Sequence, residues 1–151
     1  MLTYDEMIGR TVNFYKELGV KIPSDKIKDA VASLTMPQYA SIFKQKYKDT
    51  INEHRSLATL GDAVCGALLL MGKYRQGVTM KKMTIYKEKI TNKNLNFAGK
   101  ELLKDSLFHE NNDLSNKNKK SYATAFEAII GFLSLVDLNK AKLVFEKYIE
   151  I

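Results

Sequence analysis

The chain has 151 residues, of which 45% are hydrophobic and 27% are charged. This composition argues against disorder, and the length fits one domain of about 100–150 residues. A single cysteine, Cys65, excludes an internal disulfide framework and a structural zinc site built on several thiolates. The formal net charge of +7 is compatible with a polyanionic partner, although a solvated lysine-rich surface explains it equally well.

The N-terminus has none of the features of a secretory signal. The first twenty residues carry Asp5, Glu6 and Glu17 and lack a basic start followed by an apolar run. No uncharged apolar run reaches the roughly 20 residues that cross a bilayer. We therefore expect a cytoplasmic protein that does not enter a membrane.

Three helices are predicted for the first third of the chain. Thr3 followed by Glu6 is a capping-box pattern, and apolar residues then recur at helical spacing up to Gly19. After a proline-containing turn, a second apolar stripe runs over residues 27–34. Pro37 opens a third segment, in which aromatic residues alternate with lysines.

The rest of the sequence also has helical periodicity, and no stretch alternates with a period of two. We therefore predict an all-α fold. A polar stretch from His109 to Ser121 is expected to be a mobile loop. The predicted helices are Asn52–Gly72, Met80–Ile90, Ala98–Phe108, Tyr122–Val136 and an amphipathic helix that closes the chain.

Two of these helices are apolar nearly all round, and each contains one acid. Asp62 is the only charged residue between Ser56 and Gly72, and Glu127 is the only one between Tyr122 and Val136. Helices of this kind are usually buried, and a buried carboxylate is costly unless it is paired or bound to a metal. We therefore expect the two carboxylates to converge on a cation. Hard oxygen ligands suit Mg²⁺ or Mn²⁺.

Each acid also has a purely local interpretation. Asp62 could cap a helix that begins at Gly61, and Thr124 with Glu127 matches a capping box. The two histidines, His54 and His109, lack partners at metal-ligand spacing, and we expect them to be exposed polar residues. We expect Cys65 to be a small core residue.

Two stretches resemble ribonuclease III. Leu57–Val64, with the sequence LATLGDAV, resembles the signature helix of that family, and Ala123–Phe132 resembles its second acidic helix. Asp62 and Glu127 lie 65 positions apart, a separation similar to that of the family. The resemblance covers about Ser24 to Ile151. It implies a single endonuclease domain over residues 1–151, with residues 1–23 as an extra or divergent helix and without a double-stranded-RNA-binding domain.

The sequence departs from the long ribonuclease III enzymes at three positions. Ala58 and Thr124 stand where those enzymes have acids, and Thr59 stands where they usually have an aromatic that inserts into the partner subunit. The Mini-ribonuclease III branch is similar in having alanine at the Ala58 position and an ATAFEA-like stretch. The resemblance is therefore closest to that branch, which matures ribosomal RNA.

The resemblance implies a dimeric, all-helical endonuclease domain that cuts double-stranded or structured RNA with Mg²⁺ or Mn²⁺. Asp62 and Glu127 would be catalytic metal ligands, and Thr124 would act on the metal through a water. The expected homodimer interface includes Leu57, Thr59 and Leu60. For RNA-backbone contacts the sequence offers Lys117, Lys119 and Lys120 before the second acidic helix, and Arg75, Lys81 and Lys82 after the first.

Two other functions remain open. The loss of two family acids favours a catalytically inactive RNA-binding module of the same fold. A helical metal-dependent nucleotide hydrolase would use the same pair of carboxylates.

Overall fold

The computed structural model describes residues 1–89, 92–110 and 120–149, with the side chains of residues 87–89, 92 and 93 left aside. In these ranges the chain is all-helical, and no residue lies in a β-strand. An isolated bridge pairs Thr35 with Phe108. The helices are α1 (Tyr4–Glu17), α2 (Ile27–Ser33), α3 (Pro37–Tyr47), α4 (Arg55–Arg75), α5 (Met80–Lys89), α6 (Asn92–Leu103), α7 (Ser121–Val136) and α8 (Leu138–Tyr148).

The first helix belongs to the same core as the rest of the chain. Thr3 and Glu6 form the expected capping box at its start. On its inner face, Tyr15 is fully buried, its hydroxyl lies 2.6 Å from the Ser33 hydroxyl, and its ring lies 4.9 Å from the ring of Phe132. Residues 1–23 are therefore integrated with α2 and α7.

The centre of the domain is α7, which packs against α2, α4, α6 and α8. Ten of its sixteen residues are buried. The expectation of a buried, apolar helix at this place is confirmed.

Helix α4 differs from the prediction in both bounds and burial. It begins at Arg55 and ends at Arg75, three residues later than expected at each end. Only 28% of its most apolar 18 residues are buried, because one face packs against α7 while the opposite face carries exposed Leu60, Met71 and Tyr74. By length and composition alone α4 could also cross a membrane. In this structure α4 packs closely against α7 as part of the helical domain.

The sixth helix was also predicted with the wrong bounds. It covers Asn92–Leu103 rather than Ala98–Phe108. Lys104, the residue after the helix, has a positive φ of 49°, and Phe108 then exchanges backbone hydrogen bonds with Leu34 and Met36. Phe108 is buried by this pairing and not by a helix face.

Two glycines allow α4 and α7 to touch through their backbones. A Cβ on Gly61 would overlap the carbonyl group of Glu127, and a Cβ on Gly131 would overlap the carbonyl oxygen of Leu57. No side chain larger than hydrogen fits at either position without separating the helices. This contact sets the distance between the two helices that carry the acids.

We predict that Gly61→Ala lowers the free energy of unfolding by about 3 kcal/mol, because the added methyl must push α7 away in a well-packed core. The matched control is Gly72→Ala in the same helix, where a Cβ meets nothing within 4 Å. Alanine favours the helix at that control site, so stability should rise by up to about 1 kcal/mol. Urea denaturation measures both changes, and an equal effect of the two substitutions would contradict the close contact.

Candidate active site

The helix crossing brings Asp62 and Glu127 together. Asp62 directly follows Gly61, whose Cα lies against the backbone of Glu127. The two carboxyl groups are close enough for a hydrogen bond between their side chains. Neither acid has the local role that the sequence left open. Asp62 is the eighth residue of α4, and Glu127 is the seventh residue of α7.

The burial of the pair is less complete than expected. Asp62 is exposed and Glu127 is half-buried, because α4 turns one side toward solvent. The pair therefore lines an open groove at the surface and does not lie inside the core. Such a position allows a ligand to reach both carboxyl groups.

The surroundings of Glu127 raise its proton affinity. The pKa of Glu127 is raised to about 8, first by burial, then by the hydrogen bond that protonated Glu127 makes with Asp62, and then by the negative charge of Asp62. The pKa of the buried Cys65 thiol is also raised, mainly by burial and further by Glu127 and Asp62. Cys65 is thus a core residue near the site, as expected, and its thiol stays protonated.

The groove has a volume of about 430 Å³, and five of its six lining residues carry a charged or hydroxyl group. Within the parts of the chain that the structure describes, no group of three or more His, Cys, Asp and Glu side chains could hold a metal ion. Two carboxylates with open space beside them nevertheless fit Mg²⁺, which often takes one or two protein carboxylates and keeps several waters. The lining residues are Arg55, Ala58, Thr59, Asp62, Thr124 and Glu127.

The sequence analysis did not identify Arg55, which lines this groove, or Glu53, which forms hydrogen bonds with Arg55. Glu53 accepts hydrogen bonds from the backbone N–H and from Nε of Arg55, both at 2.9 Å. The spacing contained a usable signal, because Arg55 lies seven residues before Asp62 and therefore on the same helix face.

The predicted basic residues fall into two areas. Lys120 is exposed directly before α7, and its spacing to Thr124 and Glu127 places it on their face of the helix. Lys117 and Lys119 lie outside the described residues. Arg75 lies at the other end of α4, about 20 Å along the helix from Asp62. Lys81 and Lys82 are exposed on α5 beyond it.

Two further expectations concerned the exposure of His54 and the residues of the dimer interface. His54 is buried rather than exposed, because its backbone N–H donates to the carbonyl of Thr35 and anchors the start of α4. Burial lowers the pKa of His54 to about 4. Of the residues expected at a dimer interface, Thr59 and Leu60 are exposed, whereas Leu57 packs against the core of its own chain.

A solved structure has the same fold. The nuclease domain of ribonuclease III from Campylobacter jejuni matches with a TM-score of 0.69 and 19% sequence identity, over 91% of this chain and 94% of that one. That structure is described as showing flexibility in the region involved in dimer formation. No protein-family model and no curated protein sequence matches the chain. The chain thus has the fold of a ribonuclease III nuclease domain.

We predict that the metal-free protein becomes less stable, relative to Glu127→Gln, as the pH rises from 5 to 8. The carboxyl group of Glu127 titrates near 8 in the folded state and near 4.5 in the unfolded state. The folded protein therefore binds more protons in this range, and its free energy of unfolding falls with increasing pH. The contribution of His54 is the same in both proteins and cancels from the difference.

The measurement is chemical denaturation in EDTA at both pH values, followed by addition of Mg²⁺ at pH 8. Mg²⁺ should stabilise the wild type and not Glu127→Gln, because a ligand of the folded state raises its stability. Glu17→Gln, at an exposed site in α1, serves as the control. An identical pH dependence of wild type and Glu127→Gln would contradict the assigned pKa.

Proposed function

We propose that the protein is a cytoplasmic, metal-dependent endoribonuclease that cleaves double-stranded or structured RNA. The observation that carries the proposal is the convergence of Asp62 and Glu127 in an open groove. The fold of a ribonuclease III nuclease domain supports it. Ribosomal RNA is the proposed substrate class, on the basis of the resemblance of Ala58 and the stretch around Glu127 to the Mini branch.

The chain's own residues would perform two tasks in this reaction. Asp62 and Glu127 would hold Mg²⁺ or Mn²⁺, and the Thr124 hydroxyl in the same lining would orient a water beside them. When bound, the metal would lower the pKa of water and stabilise negative charge on the phosphate. Because the pKa of Glu127 is raised to about 8, a bound cation would also supply the positive charge that favours its ionised form.

The shape of the groove favours a polymeric substrate over a small nucleotide. It is shallow and open to solvent, whereas sites for small molecules usually enclose most of the ligand. Recognition of duplex RNA depends on shape and on backbone contacts, which an open, flanked groove can provide. Lys120 directly precedes α7, on the face shared by the groove residues Thr124 and Glu127, and is the best placed of the predicted lysines that the structure describes.

We predict that Glu127→Gln lowers the rate of duplex RNA cleavage in Mg²⁺ by about 100-fold or more. The metal supplies several kcal/mol of charge stabilisation, and about 1.4 kcal/mol corresponds to a factor of ten. Gel analysis of end-labelled duplex RNA measures the rate, and Glu17→Gln is the matched control. EDTA should abolish cleavage by the wild type.

The same assay separates the alternatives. RNA binding by the wild type without cleavage would favour the inactive binding module. Hydrolysis of nucleoside triphosphates without RNA cleavage would favour the nucleotide hydrolase. Cleavage by Glu127→Gln at the wild-type rate would contradict the proposed role of the acid pair.

We further propose that the protein forms a homodimer through the exposed apolar face of α4. Met71 and Tyr74 are 48% and 74% exposed, and they border an apolar groove that also contains Leu70 and Met83. Exposed apolar surface of this kind marks interaction sites. The face consists of Leu60, Ala63, Ala67, Met71 and Tyr74. Arg75 lines the same apolar groove, so dimer formation would limit its contact with RNA.

We predict that Met71→Asp converts the dimer into a folded monomer. A charge at this exposed position leaves the monomer core intact but must be desolvated in the interface. Sedimentation velocity measures the association state, and Leu143→Asp, at a 58% exposed position of α8, is the control. A Met71→Asp protein that sediments as the wild type does would exclude this face as the interface.

A further inference from the structure

Arg55 shares the groove with the acid pair. It is the first residue of α4, two helical turns before Asp62 on the same face. Its side chain is 72% exposed, so the guanidinium is accessible from the groove. Arg55 therefore adds a positive charge to a site whose other polar groups are carboxyl and hydroxyl groups.

The surrounding contacts orient this side chain. Glu53, which is only 21% exposed, uses one carboxylate oxygen for the backbone N–H of Arg55 and the other for its Nε. The preceding residue, His54, is itself held by the carbonyl of Thr35 at 3.0 Å. The backbone at the start of α4 and the near end of the guanidinium are thus both fixed.

The rest of the guanidinium remains available for a ligand. Its five N–H groups include four on the terminal nitrogens, which Glu53 does not contact. Across the described ranges, Arg55 forms an ion pair with no other carboxylate. A planar pair of donors of this kind matches the oxygens of a phosphate group.

The guanidinium of Arg55 could balance negative charge of a bound phosphodiester. A divalent cation would neutralise Asp62 and Glu127, while a phosphodiester brings one further negative charge and gains another during hydrolysis. Arg55 is the cationic side chain that lines the groove.

We infer that Arg55 binds a non-bridging oxygen of the phosphodiester that is cleaved and stabilises the charge that develops on it. This inference rests on the proposed ribonuclease function. In that reaction, a water oxygen bonds to phosphorus and the bond to the 3′ oxygen breaks. The water loses a proton and the 3′ oxygen gains one, so that atoms and charge balance without a redox step. Glu53 acts as a positioning residue, because its two carboxylate oxygens both accept hydrogen bonds from Arg55.

The test compares Arg55→Ala, Arg55→Lys and Arg10→Ala, the last at an exposed site in α1. Arg55→Ala should lower kcat for duplex RNA by about 100- to 1000-fold, as expected for loss of one group aimed at developing charge. Arg55→Lys should restore part of the rate, because it keeps the charge and loses the paired donors. Arg10→Ala should match the wild type.

Two readouts do not depend on cleavage. Mg²⁺ should stabilise Arg55→Ala at least as strongly as the wild type, because the acid pair is intact and a neighbouring positive charge is gone. Affinity for duplex RNA in EDTA should fall for Arg55→Ala and stay unchanged for Arg10→Ala. Glu53→Gln should lower kcat in the wild-type background but not in Arg55→Ala, since it acts through the arginine.

The outcomes distinguish this inference from the proposed function. If the wild type does not cleave RNA, both are overturned. If the wild type cleaves RNA and Arg55→Ala retains its kcat within threefold, the inference on Arg55 fails and the proposed function stands. If Glu53→Gln lowers kcat equally in the wild type and in Arg55→Ala, then Glu53 acts on the fold, and its positioning role is overturned.

Discussion

The backbone contact between α4 and α7 is the constraint on which the rest of the structure depends. Gly61 and Gly131 remove the side chains that would keep the two helices apart. Because Asp62 follows one of these glycines and Glu127 forms the surface against it, the closest approach of the helices is also the position of the acid pair. The packing of α4 on α7 therefore also assembles the site. A looser contact between these helices would move Asp62 and Glu127 apart.

The same contact explains why α4 is apolar on nearly all sides without being buried. One side packs on α7, a second forms the wall of the groove, and a third presents leucine, methionine and tyrosine side chains to solvent. A helix with three separate apolar or functional faces shows no clear amphipathic pattern. Its sequence consequently resembles that of a fully buried helix, which led to the incorrect expectation about its burial.

The long-range contacts also account for the other differences between prediction and structure. Leu107 and Phe108 continue the apolar pattern of α6, yet they leave the helix because Phe108 bonds to the backbone beside Thr35. His54 looks like an exposed polar residue, yet the same segment accepts a hydrogen bond from its backbone and the residue is buried. In each case a hydrogen bond to a segment distant in sequence overrides the local pattern.

The sequence by itself determined that the protein is helical, where most helices lie, and which two acids interrupt its apolar helices. These properties follow from periodicity, capping residues and the cost of charge in an apolar segment, all of which are local. Only the tertiary structure decided that the two acids meet, that Arg55 joins them and that one face of α4 stays exposed. Those facts depend on how α4 crosses α7, and a crossing between segments 65 positions apart is set by packing over the whole core.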